Sequence, residues 1–334
     1  MTLPGCGSRP VAAVFGGAVL FHGAGVVARI LAACGLVGAV ACTPDFQSRS
    51  QVTDLRVLAI REEALEPDRS SRFADAAIDP AAQTAQPVRV RALVVDPHPR
   101  QLLVVPGRVC SPTDSGRCDG ARTYDPDPGS IAGAEPAAEQ QPQYTLQVPS
   151  DVVALALQDD RLKGFGGIRV QFSLEVHDGD PHDPVMASKI LLYTTAPDAM
   201  RNRNPEVVGL EITRAGAHFA TVAPGETLTV TAGVEYGLRP VLGPGGAGIE
   251  EYDTVDLTGQ TIHLRETPRY SFFATVPIDF DRDDADEPLP GQPQPANGIA
   301  RFTAGVGSGS MWVVARDGRG GIGWISVRCT AASP

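Results

Sequence analysis

Lysine is nearly missing from this chain. Lys163 and Lys189 are its two representatives among 334 residues, and arginine carries the remaining positive side-chain charge. That bias fits a GC-rich bacterial genome better than any physical requirement. With 28 basic against 39 acidic residues, the formal charge is −11. A nucleic-acid-binding surface must neutralise phosphates with clustered cations, so nucleic acid is disfavoured as a partner. Aromatic residues are also few, at 6%. No apolar run reaches the ~20 residues that a membrane-spanning helix needs. No Cys/His spacing suits zinc. What is abundant is glycine, with 36 residues, and proline, with 29. Without a sustained helical period, that balance suits many short strands joined by turns.

The one concentrated apolar stretch lies near the start. Residues 30–40 follow Arg29 and end in Ala41 directly before Cys42. Positive flank, short apolar core and small residue together form the layout of a secretory signal. A cysteine at the cleavage point resembles a bacterial lipobox, which implies acylation of Cys42. Each buried CH₂ contributes ~0.8 kcal/mol, so several acyl chains hold a protein on a membrane. Leu31-Ala32-Ala33-Cys34 is an alternative lipobox, but Arg29 would then interrupt its apolar core. A start near Val26 or Val27 would give a compact leader. The expected layout is a signal peptide over 1–41 and a polar tether over 42–50. Thr43 after the cysteine suggests outer-membrane sorting by analogy, facing either the periplasm or the cell surface.

Three cysteines follow Cys42. Export implies an oxidising compartment in which disulfides persist. Cys110 and Cys118 flank a turn-rich loop and are expected to pair. Cys329 is left free or intermolecular, unless it takes one of the other two as its partner.

Two β-sandwich domains are expected, over 51–195 and 205–330, with a polar boundary at 196–205. In the first, residues 52–60 read as a strand, with Leu55, Val57 and Ala59 on one face. Residues 88–95 alternate Val88, Val90, Ala92 and Val94 inward against Arg89 and Arg91. Residues 61–87 and 111–143 read as long loops. Ser150 is placed to cap a short helix over 151–157. Residues 168–176 and 187–194 form a hairpin. The second domain reads as a weak copy. Residues 206–212 echo 51–57, and 226–234 echo 88–95. Residues 238–248 read as a loop, 270–276 and 299–304 as strands, and 311–316 with 322–328 as a terminal hairpin. About seven strands per unit describe an all-β fold of two tandem Ig-like sandwiches.

The lipobox, the tether, the run Val52-Thr53-Asp54-Leu55-Arg56-Val57-Leu58-Ala59-Ile60 and the terminal Trp312-Val313-Val314-Ala315-Arg316-Asp317-Gly318-Arg319-Gly320-Gly321 resemble outer-membrane lipoproteins of myxobacteria. Those proteins carry Ig-like or PKD-like domains and have no assigned activity. The resemblance implies a lipid-anchored envelope protein and transfers no functional residue.

Several clusters invite chemistry. Asp279, Asp281, Asp283 and Asp286 supply oxygens in the alternating manner of a calcium loop, although Asp284 stands where an EF-hand needs glycine. His177, Asp178, Asp180, His182 and Asp183 crowd one turn and would suit a metal-dependent hydrolase. Gly243 to Gly248 match a G-x-G-x-x-G pattern, but no helix follows to hold a pyrophosphate. Trp312 and Trp324, in facing strands, read as a core pair or as glycan platforms. The expectation is a non-catalytic envelope lipoprotein without a cofactor, acting as scaffold or interaction module for an unidentified envelope protein. A surface adhesin for glycan, or one dependent on calcium, is the alternative.

Overall fold

A computed structural model describes residues 48–66, 73–98, 103–104, 106–115, 117–119, 121–128, 130, 138–159, 167–177, 184–244, 248–255, 258–275, 277–287 and 298–334. The signal segment, Cys42 and Asp178 to Asp183 lie outside them, as do Gly245 to Ala247. Residues 48–334 form one compact unit. Among the described residues, no helix is long and apolar enough to cross a membrane.

The first sandwich contains β1 (Arg56–Ala64), β2 (Ala76–Asp79), β3 (Thr84–Ala85), β4 (Val88–Val95), β5 (Leu103–Val104), β6 (Gly107–Cys110), β7 (Arg122–Tyr124), β8 (Glu139–Gln140), β9 (Gln143–Leu146), α1 (Ser150–Asp159), β10 (Ile168–His177) and β11 (Val185–Thr194). The second contains β12 (Val207–Arg214), β13 (Ala217–Val222), β14 (Thr227–Thr231), β15 (Tyr236–Leu242), β16 (Glu251–Val255), β17 (Thr261–Arg265), β18 (Arg269–Ala274), β19 (Ile278–Phe280), β20 (Asp284–Asp286), β21 (Ala300–Ala304), β22 (Gly307–Arg316) and β23 (Ile322–Ala332).

The two halves repeat one topology. Sheet β1-β4-β8, with β9 on β4, faces sheet β3-β2-β11-β10-β6-β7. Sheet β13-β12-β15-β21-β19 faces sheet β14-β23-β22-β18-β20. In each half the first strand pairs antiparallel within one sheet, β1 with β4 and β12 with β15, and a later short strand crosses over to pair in parallel with the last strand. These parallel pairs are β2 with β11 and β14 with β23. The last two strands form an antiparallel hairpin in both halves. This is an immunoglobulin-like strand order.

The matching positions correct one part of the sequence reading. β1 and β12 correspond, as the first echo suggested. The counterpart of β4 is β15, which pairs with β12 as β4 pairs with β1. Residues 226–234 instead contain the crossover strand β14. Their alternation resembles β4 because both bury one face, which period-2 patterning cannot distinguish. Residues 238–248, expected as loop, contain most of β15, whose Gly237 and Pro240 break its apolar period. Two expected loops also carry strands: β2 and β3 lie within 61–87, and β7 and β8 within 111–143. These strands are two to four residues long, too short for a periodic signal.

Among the described residues, three apolar cores are formed. The first lies inside sandwich one, around Phe172, Tyr144 and Val90. The second lies inside sandwich two, around Phe272, Phe302 and Tyr236. The third joins Val52, Leu58, Ala59, Leu93 and Val95 to Trp312 and Val314. The outer face of the β1/β4 sheet therefore packs on the outer face of the β22/β18 sheet. Four sheet layers stack face to face.

A register shift between Val57 and Ala59 makes this possible. It places Leu55, Val57 and Ile60 against the first core, and Leu58 and Ala59 against the third. Ala59 thus departs from the strict alternation expected of the strand. A β-bulge re-aims side chains in this way.

Cys110 and Cys118 form a disulfide, and Cys329 is buried and free. Opening so short a loop by Cys110→Ser with Cys118→Ser is expected to cost about 2.5 kcal/mol of stability by the chain-entropy relation. Urea unfolding of the paired variant checks this, and an unchanged midpoint would contradict it.

Candidate functional site at the junction of the sandwiches

The third core supplies the apolar half of the junction. Trp312 is 1% exposed, and its Nε1–H donates to Glu139 Oε2 of β8 at 2.8 Å. The indole thus buries its body between the sandwiches while its one polar group finds a partner. Trp324 lies on the same face, partly buried, and the Arg61 guanidinium stacks over it at 4.8 Å. The two tryptophans are not directly opposite. Trp312 faces Ser326 and Trp324 faces Val314 in the β22–β23 register. Their role is in the core between the sandwiches.

The polar half lies at the linker. Arg201 and Asn202 are buried, at 5% and 2% exposure. Arg201 Nη2 donates to the Asp75 carbonyl at 2.6 Å and to Gln86 Oε1 at 3.1 Å. The Phe73 ring lies 4.0 Å from its guanidinium carbon. Asn202 takes both sides at once. Its backbone N–H donates to Asp75 Oδ1 at 3.1 Å, and its Nδ2 donates to Asp317 Oδ2 at 2.8 Å. Asn204 repeats the pattern. It donates to the Glu62 carbonyl at 2.7 Å and accepts from the Ile322 N–H at 2.9 Å.

Asp317 is the centre of the turn between β22 and β23. Its Oδ1 accepts the N–H groups of Arg319, Gly320 and Gly321 at 2.7, 3.0 and 2.9 Å. This turn presents Arg319 to Glu250 at 3.4 Å and Glu266 at 3.3 Å. Arg319 also donates to the Met200 carbonyl at 3.0 Å and stacks over Tyr252 at 3.9 Å. Nearby, a Cβ at Gly323 would collide with the Pro205 carbonyl, so the linker lies against bare backbone there.

Burial is the first cause of every carboxyl shift in this network. It raises Glu62 to about 8, with Lys189 pulling the other way. It raises Glu266 to about 7, against the Glu250 N–H that donates to it. Asp75, Asp317 and Glu250 move in the same direction. These groups are spent on holding two bodies together. The adjoining cleft, about 970 Å³, holds charges of both signs, including Arg201 with Glu66 and Asp198. It presents no concentrated field of one sign.

The residues singled out in the sequence are dispersed. Asp279 is exposed on β19. Asp281 Oδ1 accepts the Arg301 N–H at 2.8 Å. Asp283 accepts the Ser48 hydroxyl at 2.6 Å and the Ser50 N–H at 3.0 Å. Asp286 lies 3.8 Å from Arg269. The four do not converge on one point. Among the described residues, no group of three or more His, Cys, Asp or Glu is placed to hold a metal ion. His177 is buried at the end of β10, 3.2 Å from Glu175, and its sequence neighbours 178–183 lie outside the described residues. Cys42 also lies outside them. The junction residues Arg201, Asn202 and Asp317 escaped the sequence reading. Their stretch reads as a polar boundary, and the Asp-Gly-Arg-Gly-Gly turn as a hairpin loop alone.

No protein-family model matches the chain, and no curated protein matches it. Among solved structures, a chain named BspA_C_mut aligns with 80% of this chain and 98% of its own length, at 9% identity and a TM-score of 0.15. A likeness at that level carries no argument.

Trp312→Ala should destabilise the protein by about 3–5 kcal/mol, the range for emptying a buried large aromatic site. Denaturant unfolding measures it, and a loss below 1 kcal/mol would contradict the shared core. The raised carboxyls set a pH dependence. The folded state retains protons that the unfolded chain releases above the ordinary value of 4.5. That stabilisation is complete below the ordinary value and is lost as pH rises through about 7 for Glu266 and about 8 for Glu62, because stability falls wherever the native state binds more protons. Melting temperature should therefore drop between pH 5 and 8, and Glu266→Gln should flatten the drop. An equal slope in that variant would remove Glu266 as a source.

Proposed function

We propose that this protein is a non-catalytic lipoprotein of the cell envelope, held on a membrane by acylated Cys42 and acting as a rigid scaffold or protein-interaction module. The observation that carries this reading is the junction. Two immunoglobulin-like sandwiches are fused by an apolar core and a buried polar network. A fused body holds attached partners at fixed distance and orientation. The leader pattern before Cys42 supplies the anchor. Outer-membrane placement follows from Thr43 by analogy.

The exposed ribbon β16–β17 supports protein contact over enzymatic work. It is a two-stranded sheet of its own, and Ile262 and Leu264 are about two-fifths exposed. Unpaired strand edges with apolar side chains are the surfaces on which extended segments pair.

Crosslinking in intact cells, detergent extraction and mass spectrometry test the reading. The expected result is an acylated Cys42 peptide and a reproducible envelope protein crosslinked to this chain. Recovery of the chain alone would shift the weight to a surface adhesin. An unmodified N-terminus upstream of Cys42 would defeat the anchor. A thermal melt with and without millimolar calcium separates off the calcium-dependent alternative. The scaffold reading expects no shift, since a ligand selective for the native state must raise the melting temperature.

A further inference from the structure

The segment that precedes the first sandwich docks on the second. Gln51 forms a parallel bridge with Ala274, at the end of β18. The Val52 N–H donates to the Ala274 carbonyl, and the Ala274 N–H donates to the Ser50 carbonyl, both at 2.8 Å. Gln51 Nε2 donates to the Ile278 carbonyl. Ser50 is fully buried and Val52 nearly so.

Asp283 clasps this segment from the other side. Its carboxylate accepts from Ser48 and Ser50, and its carbonyl accepts the Phe272 N–H at 2.8 Å. Burial pushes this carboxyl up, but hydrogen bonds from Ser48, Ser50 and the Arg49 backbone outweigh it and hold it below its ordinary range. The edge of β18 is thus shared. β20 covers Arg269 to Ser271, and residues 50–52 continue past Phe272 to Ala274.

The docking point lies toward one end of the second sandwich. Ala274 leads into the loop that bonds Gly305 and Ser310. The turn between β21 and β22 lies there and carries Val306, 65% exposed. The linker, Arg319 and the base of ribbon β16–β17 lie at the opposite end of β22. That strand has ten residues, about 30 Å at ~3.3 Å per residue.

We propose that residues 48–52 are a latch that turns the Val306 end of the second sandwich toward a lipid surface. The lipid half of this rests on acylation of Cys42. Ser48 is six residues beyond Cys42, and a chain reaches at most ~3.6 Å per residue, or about 20 Å. Released, the first fixed point would retreat to the start of β1, and the reach would roughly double. The latch therefore sets both height and face. The ribbon β16–β17 then points away from the bilayer, where a protein partner is reached. Val306 is an apolar tip suited to the headgroup boundary.

Two measurements decide it separately. The first is hydrogen exchange on the full chain in detergent. Amides at Val52 and Ala274 should be protected. Asp283→Ala should speed their exchange by about tenfold or more, while β10–β11 stays unchanged, because local opening is independent of global unfolding. Asp283→Asn, which keeps the side-chain shape, should give a smaller effect in the same direction. Fast exchange in the native protein overturns the latch, whatever the state of Cys42. The second uses the acylated protein in vesicles containing nitroxide-headgroup lipid, with a fluorophore on Val306→Cys or on Thr258→Cys in the ribbon turn. Quenching should be several-fold stronger at 306, and Asp283→Ala should narrow the difference. Equal quenching with Cys42 acylated overturns the orientation. An unacylated Cys42, found by mass spectrometry of the same sample, defeats the anchor reading alone and leaves the exchange result standing.

Discussion

Everything in this fold depends on a sheet that is apolar on both faces. β4 buries Val90, Ala92 and Val94 in its own sandwich, and Leu93 and Val95 outside it. β22 does the same with Met311, Val313 and Ala315 on one side, and Trp312 and Val314 on the other. Each outer face would be an exposed apolar patch on an isolated domain, and such patches demand cover. The two sheets cover each other. The tandem repeat is thereby a four-layered body in which neither sandwich is complete without its neighbour.

Polarity is sorted around that contact. Apolar side chains hold the centre. At one end, the linker inserts Arg201, Asn202 and Asn204 between the sandwiches, each bonded to partners that would otherwise be buried polar groups at a cost. At the other end, the segment before β1 bonds to β18. The chain thus crosses between the sandwiches twice and is fixed by hydrogen bonds at both crossings. The shifted carboxyls belong to this order. Burial disfavours their charge and moves them upward, against the N–H groups and the Lys189, Arg201, Arg203 and Arg319 side chains that pull the other way.

Much of the fold was legible in the sequence. The period-2 runs at 88–95 and 168–176 bury a whole face and declare themselves, and the continuous apolar run over 311–315 does so by its length. The doubled apolar tail Ala92-Leu93-Val94-Val95 carried the signal of a strand buried on both sides. The strands of two to four residues were silent, since so few side chains define no period. The site was less legible for a different reason. Asp75, Asn202 and Asp317 lie far apart in sequence and meet through the topology alone. Asp283 was noticed for its charge, in the company of other aspartates. Its partners are two serines more than 230 residues away, which no local motif records. The Leu58 bulge was equally hidden, because alternation continues on either side of it.

The shared core and the two bonded crossings require the two sandwiches to move as one body. Spin labels on Ile190→Cys in the first and Val208→Cys in the second, both at exposed positions, would report it by pulsed dipolar spectroscopy. A face-to-face body predicts a single narrow distance distribution that persists from dilute buffer to moderate urea. A broad or multiple distribution in buffer would contradict it, and the junction would then be a contact between independent domains.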